Sequence, residues 1–191
     1  MSHDDSLSDS EQGMRTQSVL PDRLTPNLSI LFVGINPGLR SAALGHHYAG
    51  PSNRFWKLLY EAKLVPEPLN YRDDGRLPDW GIGLTNLVPR ATAGVEGLSL
   101  DEYAAGRLAL LRKIRRYRPR VVALLGITLY PTLFPLEAKR AGRRLGLQPV
   151  TLHESAVALL PNPSGRNAAY SYQAMLGTFR QLHPWLPPIQ K

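Results

Sequence analysis

The sequence predicts an α/β fold: a three-layer α/β/α sandwich around a mainly parallel sheet of about four to five strands. Three observations predict it. Short apolar runs of strand length alternate with longer segments of helical spacing. The runs are apolar at nearly every position, as strands covered on both faces must be. Gly/Pro turns follow the runs, and parallel neighbours then need right-handed helical crossovers.

"LSILFVG" (28–34) is the first strand, stopped by the glycine and proline of "GINPG". "NRFWKLLYEAKLV" (53–65) places Phe55, Leu58, Leu59 and Ala62 on one helical face. "GIGLTNLV" (81–88) is the second strand. Ser99 and Glu102 form a capping box for a helix running to about Tyr117. "VVALLG" (121–126) is the third strand and "ITLYPTLF" (127–134) a short helix. "AVALL" (156–160) is a strand running into "PNPSG", and "YSYQAMLGTFRQL" (170–182) is the last helix. Within 138–153, "RLGLQPVTL" reads either as an extra strand or as an irregular loop.

The 191 residues suit one domain with a real core. Residues 1–26 have few large apolar side chains and read as a disordered acidic tail, leaving 27–191 as a single α/β domain. The net charge is +8, with 23 Lys and Arg against 15 Asp and Glu. Residues 1–26 hold five acids (Asp4, Asp5, Asp9, Glu11, Asp22) against Arg15 and Arg23, so the rest of the chain is more basic still. A basic body suggests a polyanionic partner. The absence of cysteine excludes disulfides, Cys-ligated zinc and iron–sulfur clusters, and fits the cytoplasm. No run approaches a membrane span, no secretory leader is evident, and no membrane partner is expected.

In open parallel sheets, ligands bind at the carboxyl ends of the strands. Three segments fall there: Gly34–Gly38, "NLVPRAT" (86–92) and Pro161–Arg166. Their Gly, Pro, Asn and Ser content suits backbone groups presented to a ligand, and equally suits ordinary strand-to-helix turns. The P-loop, the dinucleotide-binding fingerprint and the G-x-S-x-G elbow do not occur. His46-His47 makes a poor metal site, because neighbours in extended backbone point apart and nothing completes a coordination set.

"GINPG", "GHHYAGPSNRFW", "GIGLTNLV" and "LPNPSGR", in this order, resemble the mismatch-specific uracil-DNA glycosylases and their thymine-DNA glycosylase relatives, within the uracil-DNA glycosylase superfamily. The resemblance spans about Leu28 to Leu182. It implies an enzyme that flips uracil, notably from G·U mismatches, out of double-stranded DNA and hydrolyses its N-glycosidic bond. It implies a monomer with no cofactor and no metal.

By this resemblance Asn36 positions the attacking water, which an amide can hold but not deprotonate. Asp101, opening the helix after the second strand, is the carboxylate best placed to assist; Asp79 falls at the amino edge. Tyr48 matches the aromatic under the flipped base, and Asn86 a base-edge contact. Ser41 and His47 match pocket-lining positions, with Ile35 and Gly38 contributing backbone. Asn162, Ser164 and Gly165 shape the wedge turn that carries Arg166. Arg54 is expected on the DNA backbone, with Arg40, Lys57 and Arg90 as further phosphate contacts. The basic run "RKIRRYRPR" (112–120) falls at the amino edge, away from the site. No lysine occupies the matched catalytic positions, which disfavours lyase chemistry. Two other readings stay open: a hydrolase of free nucleosides or nucleotides, and a non-catalytic damaged-DNA binding module.

Overall fold

The computed structural model describes residues 19–141 and 144–187. Five strands form one sheet: β1 (Ile30–Gly34), β2 (Ile82–Asn86), β3 (Val121–Leu125), β4 (Gly146–Leu152) and β5 (Ser155–Leu160). Their order across the sheet is β2-β1-β3-β5-β4. β1 pairs in parallel with β2 and β3, and β3 in parallel with β5. β4 is an antiparallel edge strand on β5.

The uniformly apolar strands are explained by their two buried faces. Ile30 and Phe32 point to one side with Ile82, Leu84, Val121 and Ala123. Leu31 and Val33 point to the other with Val122, Leu124, Val157 and Leu159. The first side is covered by α2 (Phe55–Glu61) and α6 (Tyr172–Arg180), through Phe55, Leu58, Leu59, Met175 and Phe179. Phe32 meets Phe55 edge-on at 5.3 Å and stacks on Phe179 at 5.8 Å. Burying a side chain of this size stabilises the fold by about 1.5–3 kcal/mol. The second side is covered by α3 (Leu100–Tyr117) and α4 (Leu129–Leu133), through Leu110, Ile114, Leu129 and Leu133. The expected three-layer sandwich is therefore the observed one.

The capping box of α3 is complete in both directions between Ser99 and Glu102, and the helix stops at Arg118 in left-handed backbone, φ 45°. Gly106 lets α3 approach the exit of β2: a Cβ there would collide with the Leu87 carbonyl. Segment 146–152, which the sequence leaves open, is strand β4. Its Pro149 sits in the stretch where the register with β5 shifts, which suits an edge strand.

Several elements exceed the expectations. A short α1 (Leu39–Leu44) follows the first turn, and α5 (Pro135–Ala141) follows α4. Tyr71–Trp80 is a long 3₁₀ segment capped by Asn70 and Asp73. Its Pro and Gly content masks any apolar periodicity. The expected tail boundary at residue 26 also moves. Residues 1–18 lie outside the described residues, but Leu20 is buried, and Arg23 exchanges two 2.9 Å backbone hydrogen bonds with Leu84 of β2. The polar look of 19–26 conceals ion pairing with the body of the fold, described below.

Candidate active site

The carboxyl ends of β1, β2 and β5 surround a cavity of about 470 Å³. Ile35, Asn36, Gly38, Ser41, His47, Tyr48, Asn86, Asn162, Ser164 and Arg166 all line it, so the fold brings most of the expected site residues together. Among the described residues, no Asp or Glu lines it.

Asn36 follows β1 directly. Its Nδ2 donates to Thr92 Oγ1 at 2.6 Å, to the Arg90 carbonyl at 3.1 Å and to the Pro37 carbonyl at 3.3 Å. Only the NH₂ end of an amide can satisfy carbonyl oxygens, so the side chain has one orientation. Thr92 Oγ1 passes the chain on by donating to the Gly94 carbonyl at 2.7 Å. Among the described residues no group donates to Asn36 Oδ1, which leaves it as an open acceptor. The loops carrying Asn36 and Thr92 are stitched by a Thr92 N–H to Pro37 carbonyl bond of 3.2 Å.

The first glycine of "GINPG" has a steric reason. A Cβ on Gly34 would meet Asn86 Oδ1 at 2.6 Å and the Tyr48 hydroxyl at 3.3 Å. Tyr48 has φ 52°, a rare backbone for a non-glycine residue. Its ring stacks on Phe55 with centroids 4.0 Å apart and planes 27° apart. Its hydroxyl is buried without a hydrogen-bond partner among the described residues, and burial pushes its pKa well above the usual value. Nothing among the described residues hydrogen-bonds the Asn86 amide, so both its ends remain available. Ser41 braces the next loop, its Oγ accepting from Ala49 N–H at 3.1 Å.

His47 is 1% exposed, and its Nε2 lies 2.9 Å from the Pro21 carbonyl, which requires the proton on that nitrogen. Burial lowers its pKa, against the opposing pull of Pro21, Asp74 and Asp22. The buried Asp74 accepts from the His47 backbone N–H at 2.9 Å, faces His46 Nδ1 at 3.0 Å and pairs with Arg23 at 3.2 Å. Burial alone would raise its pKa; these partners hold it below the usual carboxylate value.

Asn162 Oδ1 accepts from Ser164 N–H at 2.9 Å, closing a turn after β5. Gly165 packs against Ser52, where a Cβ would come within 2.6 Å of the Ser52 carbonyl. Arg166 reaches to the loop after β2 and donates to the Ala93 carbonyl at 2.9 Å.

Other expected residues lie elsewhere. Asp101 is exposed in the first turn of α3 and does not line the cavity. Arg54 donates to the Ser164 and Asn167 carbonyls at 2.7 and 2.8 Å, so it braces the "PNPSGR" loop from inside. Arg90 grips both oxygens of Glu102 at 2.6 and 2.8 Å, and this pair holds the Glu102 carboxyl down to about 2. Arg40, by contrast, does line the cavity and donates to the Ala49 carbonyl, while Lys57 lies 3.6 Å from Glu61. The run 112–120 ends α3 at the amino edge: Asn27 N–H bonds the Tyr117 carbonyl there, and Arg120 N–H the Leu28 carbonyl.

Residues 21–183 match the family model of the uracil DNA glycosylase superfamily. The chain belongs to that superfamily. A solution NMR structure from Methanosarcina acetivorans, of a protein provisionally named a uracil DNA glycosylase, has the same fold. It aligns at TM-score 0.54 and 20% identity, over 87% of this chain and 98% of that one. Membership carries a uracil DNA glycosylase-type hydrolase function, with DNA as the partner.

For a member of this superfamily, the arrangement offers an open amide acceptor, an unpaired amide and an aromatic wall around one cavity. Sequence reasoning missed Thr92, Asn53 and Leu20, which also line it. Thr92 lies in the quoted "NLVPRAT" segment, but only the fold reveals that it anchors Asn36. Among the described residues, no group of three or more His, Cys, Asp or Glu is placed to hold a metal ion.

Proposed function

We propose that the protein is a monofunctional glycosylase that takes uracil, notably from G·U mismatches, out of double-stranded DNA and hydrolyses its N-glycosidic bond. The observation that carries this reading is Asn36: its nitrogen is fully committed, its oxygen meets no donor among the described residues, and it lines a cavity that no described carboxylate lines. That oxygen holds a water and aims it at the sugar of the flipped nucleotide. The departing base takes the electron pair of the glycosidic bond, as glycosyl transfer through an oxocarbenium-like state requires. Water adds to the sugar and loses a proton to solvent.

Tyr48, backed by Phe55, supplies the stacking surface, a contact worth roughly 1–3 kcal/mol per base. The unpaired Asn86 amide reads the base edge. Arg166 releases Ala93 and enters the duplex with the turn of Asn162, Ser164 and Gly165, occupying the vacated stack. Mismatch preference follows, because a weakly paired base is cheaper to extrude. The chain acts as an intracellular monomer and needs no cofactor.

The test is conversion of a uracil-containing duplex into an abasic product by purified protein in chelator, with G·U faster than A·U. Hydrolysis of free nucleosides without action on the duplex would overturn the assignment. Tight binding of the lesion without product would support a binding module instead.

A further inference from the structure

Leu20 stands one residue before the segment that matches the family, yet it is 5% exposed and lines the cavity. A leucine has no polar group to hold it, so its position depends on the residues that follow. Those residues are pinned at each step. The Pro21 carbonyl faces His47 Nε2 at 2.9 Å. Asp22 is held by Lys113 of α3 at 2.6 Å and by the Thr85 hydroxyl of β2 at 2.7 Å. Lys113 also donates to Thr85 at 2.9 Å, closing a triad. Arg23 bonds Leu84, donates to the Gly45 carbonyl at 3.1 Å and pairs with Asp74. Asp74 is also the anchor of the His46-His47 wall, so strap and wall share one buried carboxylate.

We propose that Leu20 is a specificity-determining residue of the base pocket, delivered to the cavity by the strap 20–23. This rests on the cavity being the base pocket. Leu20 offers only apolar volume, so it selects by size and gives a polar substituent no partner. An apolar wall of this kind discriminates by roughly 10–200-fold per group added. The ionic latch makes that selection depend on Asp22 and Lys113, which stand outside the cavity lining.

Single-turnover excision from duplexes holding uracil, or uracils with 5-substituents of increasing size, tests the idea. Leu20→Ala should raise the large-to-small rate ratio by about tenfold. Leu20→Phe should move the ratio the other way, and Lys113→Met should move it as Leu20→Ala does, by less. Melting curves establish that each variant is folded. Folded variants with the wild-type ratio, or with all rates lowered in proportion, overturn the proposal. Failure of the wild type to excise uracil overturns the pocket reading instead.

Discussion

The amide nitrogen of Asn36 lies 2.6 Å from the hydroxyl oxygen of Thr92, on the loop beyond the neighbouring strand. Together with the Arg90 and Pro37 carbonyls, this contact uses the donor end of the amide and leaves its oxygen without a donor among the described residues. The orientation of the side chain is thus built from two loops, neither of which sets it alone.

Replacement of Asn36 by alanine should reduce single-turnover excision by ~10²-fold or more while DNA binding persists, the size expected for one positioned group. Thr92→Val should cost roughly tenfold in rate by freeing the amide to rotate, and Thr92→Ser should restore it. A Thr92→Val enzyme with wild-type kinetics would remove the anchor from the mechanism.

Asp101 is the opposite case. It is exposed on α3 and absent from the cavity wall, where a first-turn carboxylate favours the helix dipole. Asp101→Ala should leave the single-turnover rate unchanged. A clear loss at saturating enzyme would show that the carboxylate reaches the water when DNA is bound.

The arginines separate by their partners. Arg54 braces the "PNPSGR" loop from inside, so Arg54→Met should weaken DNA binding and lower stability by about 1–3 kcal/mol through carbonyls left unpaired. It should do so without flattening the salt dependence of affinity, because no phosphate contact is lost. Charge reversal at Arg115 and Arg118, at the far edge of the sheet, should alter affinity less than Arg166→Ala. A slope that falls by about one unit for Arg54→Met would return that residue to the DNA backbone.

Acid should act first through His47. Its folded pKa is lowered, chiefly by burial, so the unfolded chain takes up a proton first as pH falls below 6.5. Stability is therefore full above 6.5 and declines below it. Asp74, held below its usual 3.8, adds a second loss at lower pH as its partners lose the charged carboxylate. Melting temperatures should stay level above pH 6.5 and fall below it. His47→Gln should remove the first decline and keep the second. An unchanged profile in that variant would show that another group carries it.

The sheet was legible in the sequence because a strand buried on both faces has to be apolar throughout, and β1, β3 and β5 obey that rule. The α3 start was legible because a capping box is local. The 3₁₀ segment 71–80 and the strap were not, since each is held by partners distant in sequence: Asp74 by Arg23 and His47, and Asp22 by Lys113 and Thr85. The partners of Arg54 and Arg90 were not legible for the same reason: cations by type, they are engaged by groups 110 and 12 residues away.

By itself, the sequence determined which residues stand at the carboxyl edge of the sheet. Turn chemistry after a buried strand leaves little choice about where Asn36, Asn86 and Asn162 fall. Only the tertiary structure decided how they are presented. The open acceptor of Asn36 and the place of Leu20 in the cavity wall depend on hydrogen bonds and ion pairs between loops of different strands. Such contacts form only when the sheet has brought those loops together.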